Sequence, residues 1–192
     1  YPLIVTLDDG DYSNYSLLPS LKRNNWPITI FICSALIATG EKLWFTQVSS
    51  KILKERLKNI SNQERIEFLK GEALNEGRRS MDLKEIKQMA EYVDFQSHTE
   101  SHPILPMCSG HESFTEISHS KVMLEKILKK EITSIAFPNG DYNNREIEFS
   151  RESGYKFMFT VSSGSNDLNS LSDTINRIPL SDKFGKHEVL LK

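Results

Sequence analysis

Short apolar runs rich in β-branched and aromatic residues alternate along this chain with longer stretches whose apolar residues recur every three or four positions. The first pattern suits buried strands and the second amphipathic helices. Strands are expected near 3–7, 28–33, 93–97, 134–138 and 156–160, with a weaker one at 175–179. Helices are expected over 12–24, 46–58, 62–75, 82–91, 112–130 and 144–153. Asp82 with Glu85 makes a capping-box pattern at one helix start, and Gly154 supplies a stop after another. Such alternation argues for βα units around a parallel sheet, an α/β fold. The segment from Ser34 to Tyr92 is too long for one crossover helix, so an extra helical segment is expected between the second and third strands. No repeat divides the chain, and the Ser/Asn/Asp-rich stretch from Ser162 to Asp173 reads as a surface loop. Residues 1–192 are therefore read as one domain.

A chain of 192 residues can bury a core without disulfides or a structural metal, so stability does not account for any metal-competent groups it carries. The formal charge is −2, and Lys and Arg are interspersed with Asp and Glu, which leaves no electrostatic footprint for nucleic acid. No apolar run approaches the roughly 20 residues of a membrane-spanning helix. Tyr1-Pro2 leads directly into the apolar Leu3-Ile4-Val5, so any leader or anchor is expected upstream in a longer precursor. Cys33 and Cys108 are too far apart for a CxxC motif and read as two unrelated buried thiols.

The chemistry concentrates where strands end. Thr6-Leu7-Asp8-Asp9-Gly10 closes the first strand with adjacent carboxylates, and Ser97-His98-Thr99-Glu100-Ser101-His102-Pro103 closes the third with imidazoles at i and i+4. Taken alone, the first reads as an Asp-Gly turn and the second as a pair of surface or core histidines. Their coincidence at two strand ends changes that balance, because reactive groups in βα barrels cluster at the C-terminal ends of strands. Two imidazoles and a carboxylate suit a borderline cation with an open position for water. Neighbouring strand residues point to opposite sides, so one Asp can bind the cation while the other accepts a proton. Cys108 is a weak further candidate ligand, since a thiolate favours closed structural sites; His111, His119 and His187 are read as structural. Trp44 and Phe45 open the extra helical segment. Burial is the usual fate of such large aromatics, and stacking on a sugar ring is the functional alternative.

A third stretch, Ala136-Phe137-Pro138-Asn139-Gly140, ends the fourth strand in a turn whose backbone can approach a ligand. Taken in order, TLDDG, SHTESHP and AFPNG resemble the motifs of the polysaccharide deacetylases, the family of the NodB homology domain, also called carbohydrate esterase family four. The resemblance covers nearly the whole chain and implies a distorted (β/α) barrel, usually seven-stranded. It implies Asp8 as general base, Asp9, His98 and His102 as ligands of a divalent metal with Zn2+ as the default, and the backbone N–H of Asn139 as an oxyanion donor. It also implies an acetylated polysaccharide or oligosaccharide as substrate and an exported or cell-envelope location. Two places depart from the family pattern. Ala136 stands where an Arg normally steadies the base, and Asn139 where an aromatic is usual. The family's final Leu-x-x-His, source of its general acid, has no match in His187-Glu188-Val189-Leu190. The expected activity is metal-dependent removal of N-acetyl groups from an amino-sugar polysaccharide with release of acetate. The alternatives are an O-acetyl esterase, a non-sugar amidohydrolase using the same site, and a catalytically impaired carbohydrate-binding protein.

Overall fold

Every neighbouring pair of strands is parallel in the computed structural model, which describes residues 3–71, 80–167 and 172–180. The strands are β1 (Val5–Leu7), β2 (Ile28–Ile32), β3 (Val93–Ser97), β4 (Ser134–Ala136), β5 (Phe157–Phe159) and β6 (Thr174–Ile175), and they lie side by side in chain order. The sheet curls into a half-barrel. Six of the seven strands expected for a full barrel are found among the described residues. A one-way strand order puts all C-terminal ends on one rim, so the motif residues that follow β1, β3 and β4 are brought together.

Side chains that face the helices fill the core: Ile30, Phe95, Ile135 and Met158 from the strands meet Leu21, Ile86, Ile117 and Leu124 from the helices. Phe31 and Phe137 are also fully buried. Complete burial of one such side chain contributes about 1.5–3 kcal/mol. The ladder between β3 and β4 is reduced to the pair Ser97↔Ile135. The side chain of Gln96 takes its place, with Oε1 accepting from Thr133 N at 3.1 Å and Ser134 N at 2.9 Å. Strand β4 ends earlier than its apolar run, because Pro138 has no N–H for a ladder.

The helices are α1 (Leu18–Asn24), α2 (Ser34–Thr39), α3 (Trp44–Gln47), α4 (Lys51–Lys58), α5 (Asn62–Lys70), α6 (Leu83–Met89), α7 (Gly110–Leu128) and α8 (Asn144–Glu152). Pro19 splits the expected helix at 12–24: a 3-10 helix covers Tyr12–Leu17, and α1 restarts with the proline in its first turn, where no N–H is needed. Another expected helix, 46–58, is divided because Ser50 caps α4, its hydroxyl accepting from Leu53 N at 3.3 Å. The helix expected to reach residue 75 is seen to Lys70, and 72–79 lie outside the described residues. Helix α2 has no amphipathic period in SALIAT and was not expected. The capping box of Asp82 and Glu85 is present, and Gly154 ends the turn after α8 with φ of 84°.

Gly10, directly after the paired Asp residues, has φ of 63°, and a Cβ there would meet Ile32 Cγ2 at 2.7 Å. Gly10→Ala is therefore expected to combine left-handed strain with a clash, at a cost of about 1–3 kcal/mol. Thermal unfolding would register this as a lowered Tm, and an unchanged Tm would contradict it.

Candidate metal centre

The turn after β1 separates the two carboxylates. Asp9 itself adopts φ of 75°, which directs its side chain across the rim towards the loop after β3, away from that of Asp8. Its Oδ1 lies 3.4 Å from His98 Nε2 and 3.2 Å from His102 Nε2. One ligand atom from each of Asp9, His98 and His102 falls within 4.8 Å of the others, and both imidazoles are buried.

The histidine loop is held from several sides. His98 N donates to Ile32 O at 2.9 Å, continuing the β2–β3 pairing into the loop. His98 Nδ1 pairs with Ala136 O at 2.8 Å, which fixes the ring and turns Nε2 towards Asp9. Thr99 and His102 both have left-handed backbones, with φ of 67° and 61°. Non-glycine residues persist there at a cost of about 1–3 kcal/mol each only when their surroundings hold them. Ser34 N donates to Thr99 O at 3.1 Å, Ala35 N to Glu100 O at 3.0 Å and Trp44 Nε1 to His102 O at 2.9 Å. Helix α2 thus begins by binding the histidine loop.

The three groups shift one another's ionisation. Burial alone would raise the Asp9 carboxyl, but hydrogen bonding to His102 and His98, with their charges, holds it well below the usual carboxylate range. Burial disfavours a charged His98, yet Asp9 and the charge of Asp8 leave its pKa raised. His102 is lowered, by burial first and by repulsion from His98. An ionised carboxylate and two imidazole nitrogens converging on one point are an N/N/O donor set with room for further ligands, so the residues present fit a divalent cation. The carbonyl partner of His98 Nδ1 is the usual outer support of a metal-binding histidine.

Asp8 points elsewhere. Arg177, two residues past β6, grips it with both arms of its guanidinium: Nη1 to Oδ1 at 2.7 Å and Nη2 to Oδ2 at 2.8 Å. Nε of Arg177 donates to Thr160 O at 2.8 Å, Nη1 also reaches Thr6 Oγ1 at 3.3 Å, and the cation lies 5.8 Å from the Phe31 ring centroid. This bidentate contact joins the first and last strands of the open sheet across 169 positions of sequence. Arg177 thereby restrains both oxygens of the Asp8 carboxylate.

The remaining candidates fall as follows. Trp44 takes the commoner fate of a large aromatic, burial, and not the alternative of a sugar platform: it is 7% exposed, with Arg65 4.8 Å from its centroid and Phe45 packed edge-on. Phe45 is half-buried against the His102 ring at 4.8 Å. Asn139 is exposed, with φ of 54°, three residues beyond the carbonyl that holds His98. Cys108 is not drawn into the cluster; burial and the charges of Glu116 and Glu112 push its thiol up to about 12. His119 stands 3.8 Å from Glu100 on the surface, and His187 lies outside the described residues. Arg177 was not among the expected site residues: the strand expected at 175–179 holds it mid-strand, whereas β6 ends at Ile175 and leaves Arg177 just beyond the strand end.

A family model described as polysaccharide deacetylase matches residues 2–158. YxkH of Bacillus subtilis (strain 168), a polysaccharide deacetylase by name, is 22% identical over 181 residues, 93% of this chain and 51% of that protein. The chain thus spans about half the length of this curated relative. Among solved structures, the deacetylase PplD of Streptococcus pyogenes, in complex with acetate, matches with a TM-score of 0.69 at 24% identity, over 96% of this chain and 67% of that one. IcaB from Ammonifex degensii matches with 0.68 at 20% identity, over 93% and 67%. At these identities both structures bear on the fold alone.

Proposed function

The chain belongs to the polysaccharide deacetylase family, and we propose that it hydrolyses acetyl groups from a carbohydrate, with the N-acetyl of an amino-sugar polysaccharide as the preferred substrate. One observation carries the reading: a carboxylate and two imidazoles converge on one point, and a second carboxylate is clamped beside them. Bound to Asp9, His98 and His102, a divalent cation such as Zn2+ would supply Lewis acidity for the acetyl oxygen and ease ionisation of a water. Asp8 takes the proton of that water. Each Asp8 oxygen spends one lone pair on Arg177 and keeps another for this transfer. Arg177 holds the carboxylate still, so the base is already oriented when substrate arrives. Asn139 N–H, on the loop after β4, serves as the oxyanion donor. An amine departs only once protonated, and the proton that Asp8 has removed from water is available for it. Acetate, the acid released, is the ligand in the PplD structure.

A second reading keeps the site and takes an O-acetyl ester. It is favoured by the lack of a further histidine near the cluster among the described residues, because an alcohol leaves with less need for an acid than an amine. Substrates of polysaccharide size point to an exported or cell-envelope setting. No helix among the described residues is long and apolar enough to cross a membrane.

Acetate release from matched N-acetyl and O-acetyl oligosaccharides, with and without chelator, tests the proposal. The expected result is chelator-sensitive release from the N-acetyl substrate. Release from the O-acetyl substrate alone would select the second reading, and release from neither would contradict both.

A further inference from the structure

We propose that Glu116 of α7 is a positioning residue for metal binding, its carboxylate setting the affinity of the site by fixing the turn between the two histidines. This rests on the metal reading above. Oε2 of Glu116 accepts from Glu100 N at 2.9 Å and from Ser101 N at 2.8 Å, and Oε1 accepts from the Ser101 hydroxyl. Two consecutive backbone N–H groups and a hydroxyl therefore converge on one side chain, a small anion-binding concavity filled from within the protein.

The location of this contact gives it leverage. Glu100 and Ser101 lie between left-handed Thr99 and left-handed His102, and the second of these turns aims His102 at Asp9. The carbonyls of the loop are held by other groups: Thr99 O by Ser34 N and Ser120 Oγ, Glu100 O by Ala35 N, His102 O by Trp44 Nε1. Glu116 holds the N–H groups at the apex. Its neighbours Ser113, Ile117 and Ser120 bury the same stretch of α7, so the carboxylate is presented from a rigid element. Burial is the larger influence and leaves the Glu116 carboxyl raised, although the Ser101 hydroxyl and N–H pull it down. Without it, two backbone donors lose their acceptor and the strained turn is free to relax, which moves His102 out of register with His98 and Asp9.

Direct titration with Zn2+, read by calorimetry or by competition with a chelating dye, tests this without reference to turnover. Glu116→Ala is expected to weaken Zn2+ binding about 10- to 100-fold, the usual effect of removing an outer support. Glu116→Gln, which keeps an acceptor oxygen but sets an amide N–H against one donor, should fall between that and wild type. Leu124→Ala empties a fully buried position on the same helix away from the loop, and it should lower Tm without moving the Zn2+ Kd. Wild-type Kd in Glu116→Ala overturns the inference, as does an equal loss of affinity in Leu124→Ala. If Glu116→Ala does not fold, the Kd of Glu116→Gln decides in the same way. A wild-type chain that binds no Zn2+ overturns the metal reading and this inference with it, whereas wild-type binding with unaffected Glu116 variants overturns this inference alone.

Discussion

Asp8→Asn is expected to lower kcat for acetate release by about 100- to 10,000-fold, the range spanned by loss of a general base. Asparagine has nearly the same shape, and Asp9, His98 and His102 are untouched, so metal content and substrate affinity should stay close to wild type. The contact with Arg177 will not survive intact. Its Nη1 and Nη2 each donate to a separate Asp8 oxygen, and an amide offers one acceptor while setting its own N–H groups against the second donor. Arg177 is only 15% exposed, and the pair spans the first and last strands, so a modest drop in Tm should accompany the loss of turnover. Arg177→Ala should fall between wild type and Asp8→Asn in kcat, because it leaves the base present and removes only its restraint. Steady-state kinetics on metal-loaded protein is the measurement. Wild-type kcat in Asp8→Asn would remove Asp8 from the mechanism.

Where the sequence could be read and where it could not follows the range of the interactions involved. The strand ends carrying Asp8, Asp9, His98 and His102 were legible because each motif is local and its ligands lie within five residues. Capping boxes at Asp82 were legible for the same reason. The division of labour within the Asp pair came from the family resemblance, and the left-handed φ of Asp9 gives it a physical basis. What escaped were contacts between distant segments. Arg177 meets Asp8 across 169 positions, Trp44 meets the carbonyl of His102 across 58, and Glu116 reaches back 15 and 16 residues to the histidine loop. Trp44 carried the further ambiguity that an aromatic has the same local pattern whether it packs in a core or stacks on a sugar. Burial under Arg65 and Phe45 decides that question, and no spacing rule anticipates it.

Removing the metal should have the other large effect. Chelation, or His98→Ala, is expected to reduce acetate release to background, and a divalent ion should restore the chelated wild type but not the variant at equal concentration. His98 is the more informative of the two imidazoles to remove, because its ring joins Ala136 O through Nδ1 to Asp9 through Nε2. Metal binding should also raise stability: free ion at 1,000 times Kd adds about 4 kcal/mol to the folded state. For a domain of this size that corresponds to a Tm rise of roughly 8–16 °C. The effect should depend on pH with a definite sign. In the metal-free site Asp9 remains ionised and the pKa of His98 is raised, so His98 keeps its proton to higher pH than an ordinary imidazole. A cation must displace that proton, and below the His98 pKa each unit of pH should weaken binding about tenfold. Zn2+ titrations between pH 5.5 and 8 would show affinity rising with pH. An affinity that does not change across that interval, or activity that survives exhaustive chelation, would exclude Asp9, His98 and His102 as the ligands of a working metal.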